Sequence, residues 1–261
     1  MIIVKSTREI ELMKKAGEVV AKVFDECEKL MVPGVSTYDI NAKAEEVIFS
    51  NGCTAPCKGY YDYPAGTCVS INDTLIHGIP SKKIILHEGD IVSLDVVACY
   101  QGYCADATRT FKIGITNERA NRIIDVCKQA FFNGVNLIKP GIHLGDVQEA
   151  IQKTVESNGY NVARDFTGHG IGKGMHEDPS IPNFGKAGSG PILQKGMTIA
   201  IEPMILEGKK DTRILGDGWT VKSRDGKLTC HYENTIVVTD DGYEIITLRN
   251  KEKETICPNK I

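Results

Sequence analysis

The stretch EGDIVSLD (Glu88–Asp95) returns 107 residues later as KGMTIAIE (Lys195–Glu202), and both stretches end in an acidic residue. Each has a glycine followed by a mostly apolar strand that carries the acid six residues after that glycine. The same offset relates further identical residues: Pro33 and Pro140, Gly34 and Gly141, Asp39 and Asp146, Ser50 and Ser157, Asn51 and Asn158, Gly52 and Gly159, and Gly89 and Gly196. The chain therefore contains an internal repeat.

The repeat predicts two related halves, roughly residues 5–113 and 114–250, fused into one core. We expect residues 1–261 to form a single domain. If the halves face each other across a pseudo-twofold axis, the repeat brings Asp95 and Glu202 together. A buried carboxylate needs a partner, and like charges at close range require a cation or a shared proton. A metal ion is the simplest solution.

Composition and charge argue against several classes of protein. At 261 residues, with 41% hydrophobic and 25% charged residues, the chain resembles an ordinary globular protein. Its net charge of -3 disfavours nucleic acid as a partner. The charged residues between Lys5 and Glu11 argue against a secretory signal, and no apolar run reaches the roughly 18 residues of a membrane span. Nine scattered cysteines without a CxxC pair argue against a disulfide framework and a structural zinc site, so we expect a cytoplasmic location.

Local patterns predict helices followed by strands in each half. A capping box at Ser6–Glu9 predicts a helix that runs to about Met31. Further helices are predicted at about Thr37–Ser50, Glu118–Leu137 and Leu144–Ser157. Strands are predicted from Ile91 to Ala98, Tyr103 to Ile113, Thr198 to Ile205 and Thr229 to Thr239.

The first pair of strands carries two acids. A turn at Gln101-Gly102 predicts a hairpin in which Asp95 and Asp106 face each other. In the second half, Glu233-Asn-Thr matches Asp106-Ala-Thr, so Glu233 is the counterpart of Asp106. The repeat thus selects four carboxylates: Asp95, Asp106, Glu202 and Glu233. Four acids in one place suit two divalent ions bridged by shared carboxylates.

One histidine has a distinctive setting. His169 lies in Thr167-Gly-His-Gly-Ile-Gly172, where glycines allow the backbone close to a metal ion. An imidazole ligand would favour first-row transition metals. For His77 and His176, spacing leaves functional and structural interpretations equally open. The remaining histidines are predicted to be surface or hydrogen-bonded core residues: His87, His143 and His231.

Five residues occur in an order that resembles a known family: Asp95, Asp106, His169, Glu202 and Glu233. With the segments TGHGIG, MHEDP, IEPMI and HGIP, they are similar to the type I methionine aminopeptidases, and the resemblance covers nearly the whole chain. Type II enzymes carry a sizeable insertion between the positions of His169 and Glu202, whereas only residues 170–201 intervene here. The resemblance implies an α+β pita-bread fold, in which two pseudo-twofold-related halves form a curved antiparallel sheet backed by helices.

The resemblance also implies a dinuclear metal site. Asp106 and Glu233 would bridge two divalent ions, and Asp95 would bind one of them. His169 and Glu202 would complete the shell of the other. Co(II), Mn(II), Fe(II) and Zn(II) all accept mixed imidazole and carboxylate ligands, so the sequence does not choose among them.

The same resemblance implies catalytic and substrate-binding residues. Glu202 would shuttle a proton, while His77 and His176 would contact the scissile peptide. A thioether substrate suits an apolar pocket with sulfur and aromatic edges. Besides these two histidines, the matching positions are Cys57, Tyr60, Tyr63, Cys68, Met175 and Trp219. Met175 departs from the family, in which an aromatic residue is usual, and a solvent-facing aromatic loop remains the other interpretation of the three tyrosines at 60, 61 and 63.

The implied function is metal-dependent removal of the N-terminal methionine from peptides and nascent proteins, with a preference for a small second residue. We expect a monomer in the cytoplasm that has peptide N-termini as partners and recognises neither membrane nor nucleic-acid sequence. Association with the ribosome would suit such an enzyme, although no motif requires it.

Three other interpretations remain open. Proline-directed aminopeptidases and prolidases share the ligand set but usually carry an additional N-terminal domain, for which this chain has no room. A non-catalytic binding protein of the same fold typically loses ligands that this chain retains. Finally, the repeat is purely structural if its acids form salt bridges with Arg109 or Arg213.

Overall fold

The protein, described by a computed structural model over residues 1–256, combines five α-helices with antiparallel strands. The helices are α1 (Thr7–Glu28), α2 (Thr37–Ser50), α3 (Glu118–Val135), α4 (Leu144–Ser157) and α5 (Asn250–Ile256). The strands of the first half are β1 (Thr67–Ile71), β2 (Thr74–Ile76), β3 (Ile91–Tyr100) and β4 (Tyr103–Lys112). The last five residues of the predicted domain, 257–261, lie outside the described residues.

The second half contains shorter and more numerous strands. They are β5 (Asn161–Val162), β6 (Thr167–Gly170), β7 (Glu177–Pro182), β8 (Thr198–Ile201), β9 (Met204–Leu206), β10 (Thr212–Ile214), β11 (Val221–Ser223), β12 (Thr229–His231), β13 (Asn234–Val238) and β14 (Tyr243–Ile245). The sheets have the orders β1-β3-β4, β10-β11-β2, β12-β9-β5 and β14-β13-β8-β6-β7. Within residues 1–256, no helix is long and apolar enough to cross a membrane.

The helix boundaries follow the sequence signals closely. The Ser6 hydroxyl accepts a hydrogen bond from the Glu9 N–H, and the Glu9 carboxylate accepts one from the Ser6 N–H, which is the predicted capping box. The predicted bounds of α2 and α4 are confirmed. The predictions for α1 and α3 were two to three residues too long, because the chain turns before Pro33 and before Pro140.

The 107-residue repeat is also present in the backbone. Gly34 and Gly141 have φ angles of 92° and 94°, which side chains disfavour. Their N–H groups donate to the carbonyls of Leu86 and Leu193, each at 2.9 Å. The two carbonyl residues are themselves 107 positions apart, so the repeat reproduces a tertiary hydrogen bond as well as a sequence.

The two halves meet where β4 crosses the segment around β13. Thr108 and Glu233 exchange backbone hydrogen bonds, with N···O distances of 3.4 and 3.1 Å. Beside them, the Asp106 N–H donates to the Thr235 hydroxyl at 2.8 Å, and this hydroxyl donates to the Asp106 carbonyl at 2.9 Å. These residues are the matched acid and threonine positions of the repeat, so the contact follows the predicted pseudo-twofold relation.

Two predicted strands are interrupted at the acids that they carry. The predicted strand 198–205 is divided into β8 and β9 at Glu202-Pro203, where proline lacks a backbone donor. The predicted strand 229–239 is divided into β12 and β13 at Tyr232-Glu233. There the Glu233 backbone bonds to Thr108 of the other half instead of continuing the ladder.

The register of the β3–β4 hairpin corrects one prediction. Asp95 lies opposite Thr108, and Asp106 lies opposite Val97, so the two acids do not face each other directly. They are diagonal neighbours two positions apart. Since side chains two positions apart point to the same face of a sheet, both acids still project into the same site.

The hairpin also contains a disulfide bond that was not expected. Cys99 and Cys104 are direct cross-strand partners, and their sulfur atoms are bonded. The predicted turn at Gln101-Gly102 places these two cysteines opposite each other, so the hairpin itself held the signal. The other described cysteines are free: Cys27, Cys53, Cys57, Cys68, Cys127 and Cys230.

Each half has its own pair of helices over its own strands. The helices α1 and α2 pack on β1, β3 and β4, whereas α3 and α4 pack on β5, β7, β9 and β12. Phe24 belongs to the first apolar cluster and Phe131 to the second, and both are fully buried.

Arg109 connects the halves through a buried charge. Its guanidinium donates to both carboxylate oxygens of Glu252 on α5, at 2.7 and 2.9 Å, and to the Glu233 carbonyl at 2.7 Å. It also donates to the Asn234 side chain at 2.7 Å. Bidentate pairs of this kind are strong, and losing one partner leaves the other charge buried without compensation.

We therefore expect Arg109→Met to lower the free energy of unfolding by about 3–5 kcal/mol, as measured by urea denaturation. The matched control is Arg119→Met, because Arg119 makes a similar bidentate pair with Glu207 on the surface. Its unfolding midpoint should stay close to that of the unsubstituted protein. Equal effects of the two substitutions would contradict the role given to the buried pair.

Candidate metal centre and substrate pocket

One cavity of about 390 Å³ contains every predicted site residue. Residues of both halves line this cavity. The thirteen predicted residues that line it are Cys57, Tyr60, Tyr63, Cys68, His77, Asp95, Asp106, His169, Met175, His176, Glu202, Trp219 and Glu233. They come from both halves and from sequence positions as far apart as 57 and 233.

The acids are held at the junction of the halves. The solvent-exposed fractions of the acids are small: 5% for Asp106, 9% for Glu202 and 2% for Glu233. The Thr108 hydroxyl donates to Glu233 Oε2 at 2.9 Å, and this bond crosses from one half to the other. The Glu202 carbonyl accepts a hydrogen bond from the Asn183 amide at 2.9 Å, which fixes the backbone beside its carboxylate.

His169 is oriented toward the acids by its own strand. Its Nδ1 lies 2.9 Å from the Gly170 carbonyl, and its Nε2 lies 3.5 Å from Glu202 Oε1 and 3.8 Å from Asp106 Oδ2. The flanking glycines are required by close packing, because a Cβ at Gly170 would lie 2.0 Å from a backbone oxygen of Asp178. The glycine setting identified in the sequence therefore has a structural cause.

Burial and mutual repulsion oppose ionisation of the acids. Burial raises the pKa of Asp95 to about 7, although a hydrogen bond from Thr108 favours its ionised form. Burial, followed by repulsion from neighbouring carboxylates, raises the pKa of Asp106, Glu202 and Glu233 well above the usual range. A divalent cation would compensate the charge that these groups carry when ionised.

The neighbouring histidines are held neutral. Burial, and then the nearby His176, lower the pKa of His169 and of His77 to about 4. Burial also lowers the pKa of His176. Because the neutral imidazole is the form that binds a metal ion or hydrogen-bonds through a free nitrogen, these residues are prepared for either role near neutral pH.

The donor set fits a metal ion and not a set of salt bridges. Within residues 1–256, Asp106 Oδ1 and Glu233 Oε1 are buried without a hydrogen-bond partner, which is unusual for such atoms. Arg109 forms its ion pair with Glu252, and Arg213 lies on the exposed strand β10. The interpretation of the four acids as partners of these arginines is therefore wrong.

The apolar side of the cavity is built from sulfur and aromatic groups. Cys57 Sγ lies 3.8 Å from Met175 Sδ, and the rings of Tyr63 and Trp219 meet edge to face at 5.1 Å. Tyr63 is anchored because its hydroxyl donates to the carbonyls of Thr67 and Gly78, at 3.2 and 3.1 Å. The interpretation of this tyrosine as part of a solvent-facing loop is wrong, whereas Tyr61 is largely exposed.

The thiols in this wall are not activated. Burial raises the pKa of Cys57 and of Cys68 well above that of a free cysteine. Cys68 is also nearly inaccessible, with 6% of its surface exposed. Both cysteines thus behave as small apolar groups in the wall of the pocket.

His176 and His77 line the cavity, and each contacts another ring. The rings of His169 and His176 lie 4.4 Å apart, and His176 Nδ1 lies 3.2 Å from the Tyr60 hydroxyl. His77 has a φ angle of 57°, which is a strained backbone conformation for a residue with a side chain of this size. The centroid of its ring lies 5.8 Å from that of Trp219. Such strain is commonly found at functional sites.

Comparison with known proteins agrees with this geometry. Residues 11–240 match the model of metallopeptidase family M24. The chain belongs to this family. It is 48% identical to a methionine aminopeptidase of Clostridium acetobutylicum, over 95% of this chain and 99% of the relative. A solved methionine aminopeptidase of Thermotoga maritima superposes with a TM-score of 0.94 at 46% identity, covering 95% of this chain and 100% of that one.

These likenesses confirm the expected type I methionine aminopeptidase resemblance and the α+β pita-bread fold. A prolidase of Pyrococcus furiosus, another structural neighbour, is more distant. It superposes with a TM-score of 0.76 at 26% identity, and the match covers 94% of this chain but 65% of the prolidase. The proline-directed and non-catalytic alternatives are not favoured by these comparisons.

Seven other residues of this M24 protein line the cavity and were not predicted as site residues from the sequence. They are Tyr61, Ile76, Val97, Asp165, Phe166, Thr167 and His231. His231 was predicted to be a surface or hydrogen-bonded core residue, but it is buried, lines the cavity and has an Nε2 atom without a hydrogen-bond partner among residues 1–256. Burial, and then the neighbouring His77, lower its pKa to about 3. A signal was available, because His231 lies two residues before Glu233 and strand residues two apart share a face.

The loop between β6 and β7 is tied to the N-terminal segment of the M24 chain. This loop carries Met175 and His176, and its end is fixed by Glu177. Glu177 Oε2 accepts from Lys5 Nζ at 2.6 Å, and Glu177 Oε1 accepts from the Gly174 N–H at 2.9 Å. The two side chains are only 11% and 3% exposed, so the ion pair is buried beneath the loop.

We expect Lys5→Met to increase amide hydrogen exchange in residues 171–177 by at least about tenfold, because the unpaired Glu177 carboxylate would turn to solvent and release Gly174. Hydrogen-exchange mass spectrometry measures this directly. Lys15→Met is the matched control, since Lys15 pairs with Glu18 on the exposed surface of α1. Unchanged protection of the loop in Lys5→Met would show that the ion pair does not hold it.

Proposed function

We propose that this protein hydrolyses the first peptide bond of peptides and nascent proteins that begin with methionine. One observation carries the proposal: a single cavity joins a cluster of buried acids and histidines to an apolar pocket of sulfur and aromatic groups. The first part suits activation of water, and the second suits a thioether side chain. The names of the similar M24 proteins support the same activity.

The residues that would hold two divalent ions are Asp95, Asp106, His169, Glu202 and Glu233. Their buried oxygens without partners and the proximity of Asp106, His169 and Glu233 support this assignment. When bound, such ions polarise the scissile carbonyl and lower the pKa of water. Co(II), Mn(II), Fe(II) and Zn(II) remain the candidates, and the presence of imidazole favours a transition metal over Mg(II) or Ca(II).

The remaining chemistry falls to the side chains around the acids. Glu202 is a candidate to take the proton of the attacking water and deliver it to the leaving amine, because its pKa is raised by burial and by Asp106. His176 lies at the mouth of the cavity, where a donor would stabilise charge on the carbonyl oxygen. His77, which lines the cavity beside Trp219, would position the peptide nitrogen.

The methionine side chain would occupy the pocket formed by Cys57, Tyr63, Cys68, Met175 and Trp219. An unbranched thioether can reach along this wall, and sulfur–aromatic contacts with Tyr63 and Trp219 would favour it. Met175, near Cys57, gives this side of the pocket a flexible wall in place of an aromatic ring. Tyr60 lies at the entrance, beside His176.

We also propose one catalytic domain, a monomeric cytoplasmic enzyme, a preference for a small second residue, and nascent chains at the ribosome as a source of substrate. These statements depend on the resemblance to the family. Each has a separate test: sedimentation for the monomer, a series of second residues for the preference, and ribosome pelleting for the association.

We expect metal-stripped protein to release no methionine from a Met-Ala-Ser peptide and to regain activity with Co(II), Mn(II) or Fe(II). A Gly-Pro peptide is the control and should remain intact. Cleavage of the proline peptide would move the function to the proline-directed branch of the family. Absence of cleavage, with no metal bound, would favour a binding protein.

We expect His176→Ala to lower kcat by roughly a hundredfold or more while the metal content stays unchanged, because a donor to the developing oxyanion is lost. Peptide hydrolysis and elemental analysis of the same sample give the two values. His87→Ala serves as the control, since the side chain of His87 is 78% exposed and lies outside the cavity. Full turnover in His176→Ala would refute the role.

A further inference from the structure

His231 is a buried histidine whose Nε2 atom has no hydrogen-bond partner among residues 1–256. It lies at the end of β12, exposed by 2%, and its ring lines the cavity. A histidine that only fills a core normally has its ring nitrogens hydrogen-bonded, because an unpartnered buried polar atom is costly. This atom therefore requires an explanation.

The position of His231 resembles that of His169. His231 Nε2 lies 3.6 Å from Glu202 Oε2 and 3.7 Å from Glu233 Oε2, and His169 Nε2 lies 3.5 Å from Glu202 Oε1. The Glu202 carboxylate thus lies between two imidazoles. All three distances exceed those of a good hydrogen bond. Two ligand atoms that each lie about 2.1 Å from the same tetrahedral or octahedral ion are about 3.0–3.4 Å apart. The three observed distances are closer to this ligand–ligand spacing.

The backbone of His231 is fixed by the other half of the protein. The Thr110 hydroxyl donates to the His231 carbonyl at 2.8 Å, and the His231 N–H approaches the same hydroxyl oxygen at 3.4 Å. Thr110 lies on β4, the strand that also carries Asp106. The contact that joins the halves therefore also places His231 beside the acids.

We infer that His231 is a second imidazole ligand of the metal centre, binding a divalent transition-metal ion together with Glu202 and Glu233. Ligand atoms of these three residues lie within 4.8 Å of one another, as do those of Asp106, His169 and Glu233. The two groups share Glu233, and each group contains one imidazole. The inference deepens the proposed function and depends on its metal centre.

A second imidazole changes which ions the centre prefers. Imidazole suits Fe(II), Co(II) and Zn(II), whereas a site made mainly of carboxylates suits Mn(II) and Mg(II). Replacing His231 by glutamine keeps a polar side chain of similar reach but removes the nitrogen ligand. His231→Gln should therefore lower the affinity for Co(II) by at least about tenfold and lower the affinity for Mn(II) less.

Proton NMR of the unsubstituted protein loaded with Co(II) tests the inference without any substitution. Each histidine bound to high-spin Co(II) contributes a strongly shifted ring N–H signal that disappears in D₂O. We expect two such signals, from His169 and His231. A single signal would overturn the inference, even in a protein that releases methionine, whereas failure of methionine release would overturn the proposed function separately.

Variants then assign the signals. His231→Gln should lose one signal and keep the other, and His87→Gln, on the exposed surface, should keep both. Circular dichroism shows whether each variant is folded. Retention of both signals and of the full Co(II) affinity in His231→Gln would contradict the assignment. The assignment would also be contradicted if His231→Gln bound Co(II) more weakly but the unsubstituted protein showed only one signal. His231 would then affect the metal only through Glu202.

Discussion

The whole site depends on one contact between the halves, the exchange of backbone hydrogen bonds between Thr108 and Glu233. This contact aligns β4 with the segment that leads into β13. It also separates β12 from β13 at Glu233, whose carboxylate points toward the other acids. Because both partners occupy matched repeat positions, an acid from each half arrives at the same place. The strands, the helices behind them and the cavity in front are arranged around this crossing.

Such an arrangement is costly without a ligand. Burial and repulsion raise the pKa of Asp106, Glu202 and Glu233, so the acids cannot all be ionised without a nearby positive charge. The buried cations Arg109 and Lys5 form their ion pairs with other carboxylates, those of Glu252 and Glu177. Neutral histidines face the acids instead. A divalent cation in the site would balance this negative charge and would couple metal binding to the stability of the junction.

The five candidate metal ligands were predicted from local or repeated sequence signals, whereas the other predicted cavity residues came from the family resemblance. The offset of 107 residues identified Asp95 and Glu202, and the glycines around His169 reflect close packing of its backbone. Other features depend on contacts between distant segments. The Lys5–Glu177 pair spans 172 residues, and the hydrogen bonds that hold the His231 backbone come from Thr110 of the other half. The break between β12 and β13 likewise results from a tertiary contact, the bonds of the Glu233 backbone to Thr108.

The central claim is that the crossing of the halves creates a dinuclear metal centre. Anomalous diffraction from crystals of Co(II)-loaded protein, measured at the cobalt edge, tests it directly. We expect two peaks about 3.5–4 Å apart, enclosed by Asp95, Asp106, Glu202 and Glu233. A protein that crystallises with the same fold but shows no anomalous peak between these acids would contradict the claim.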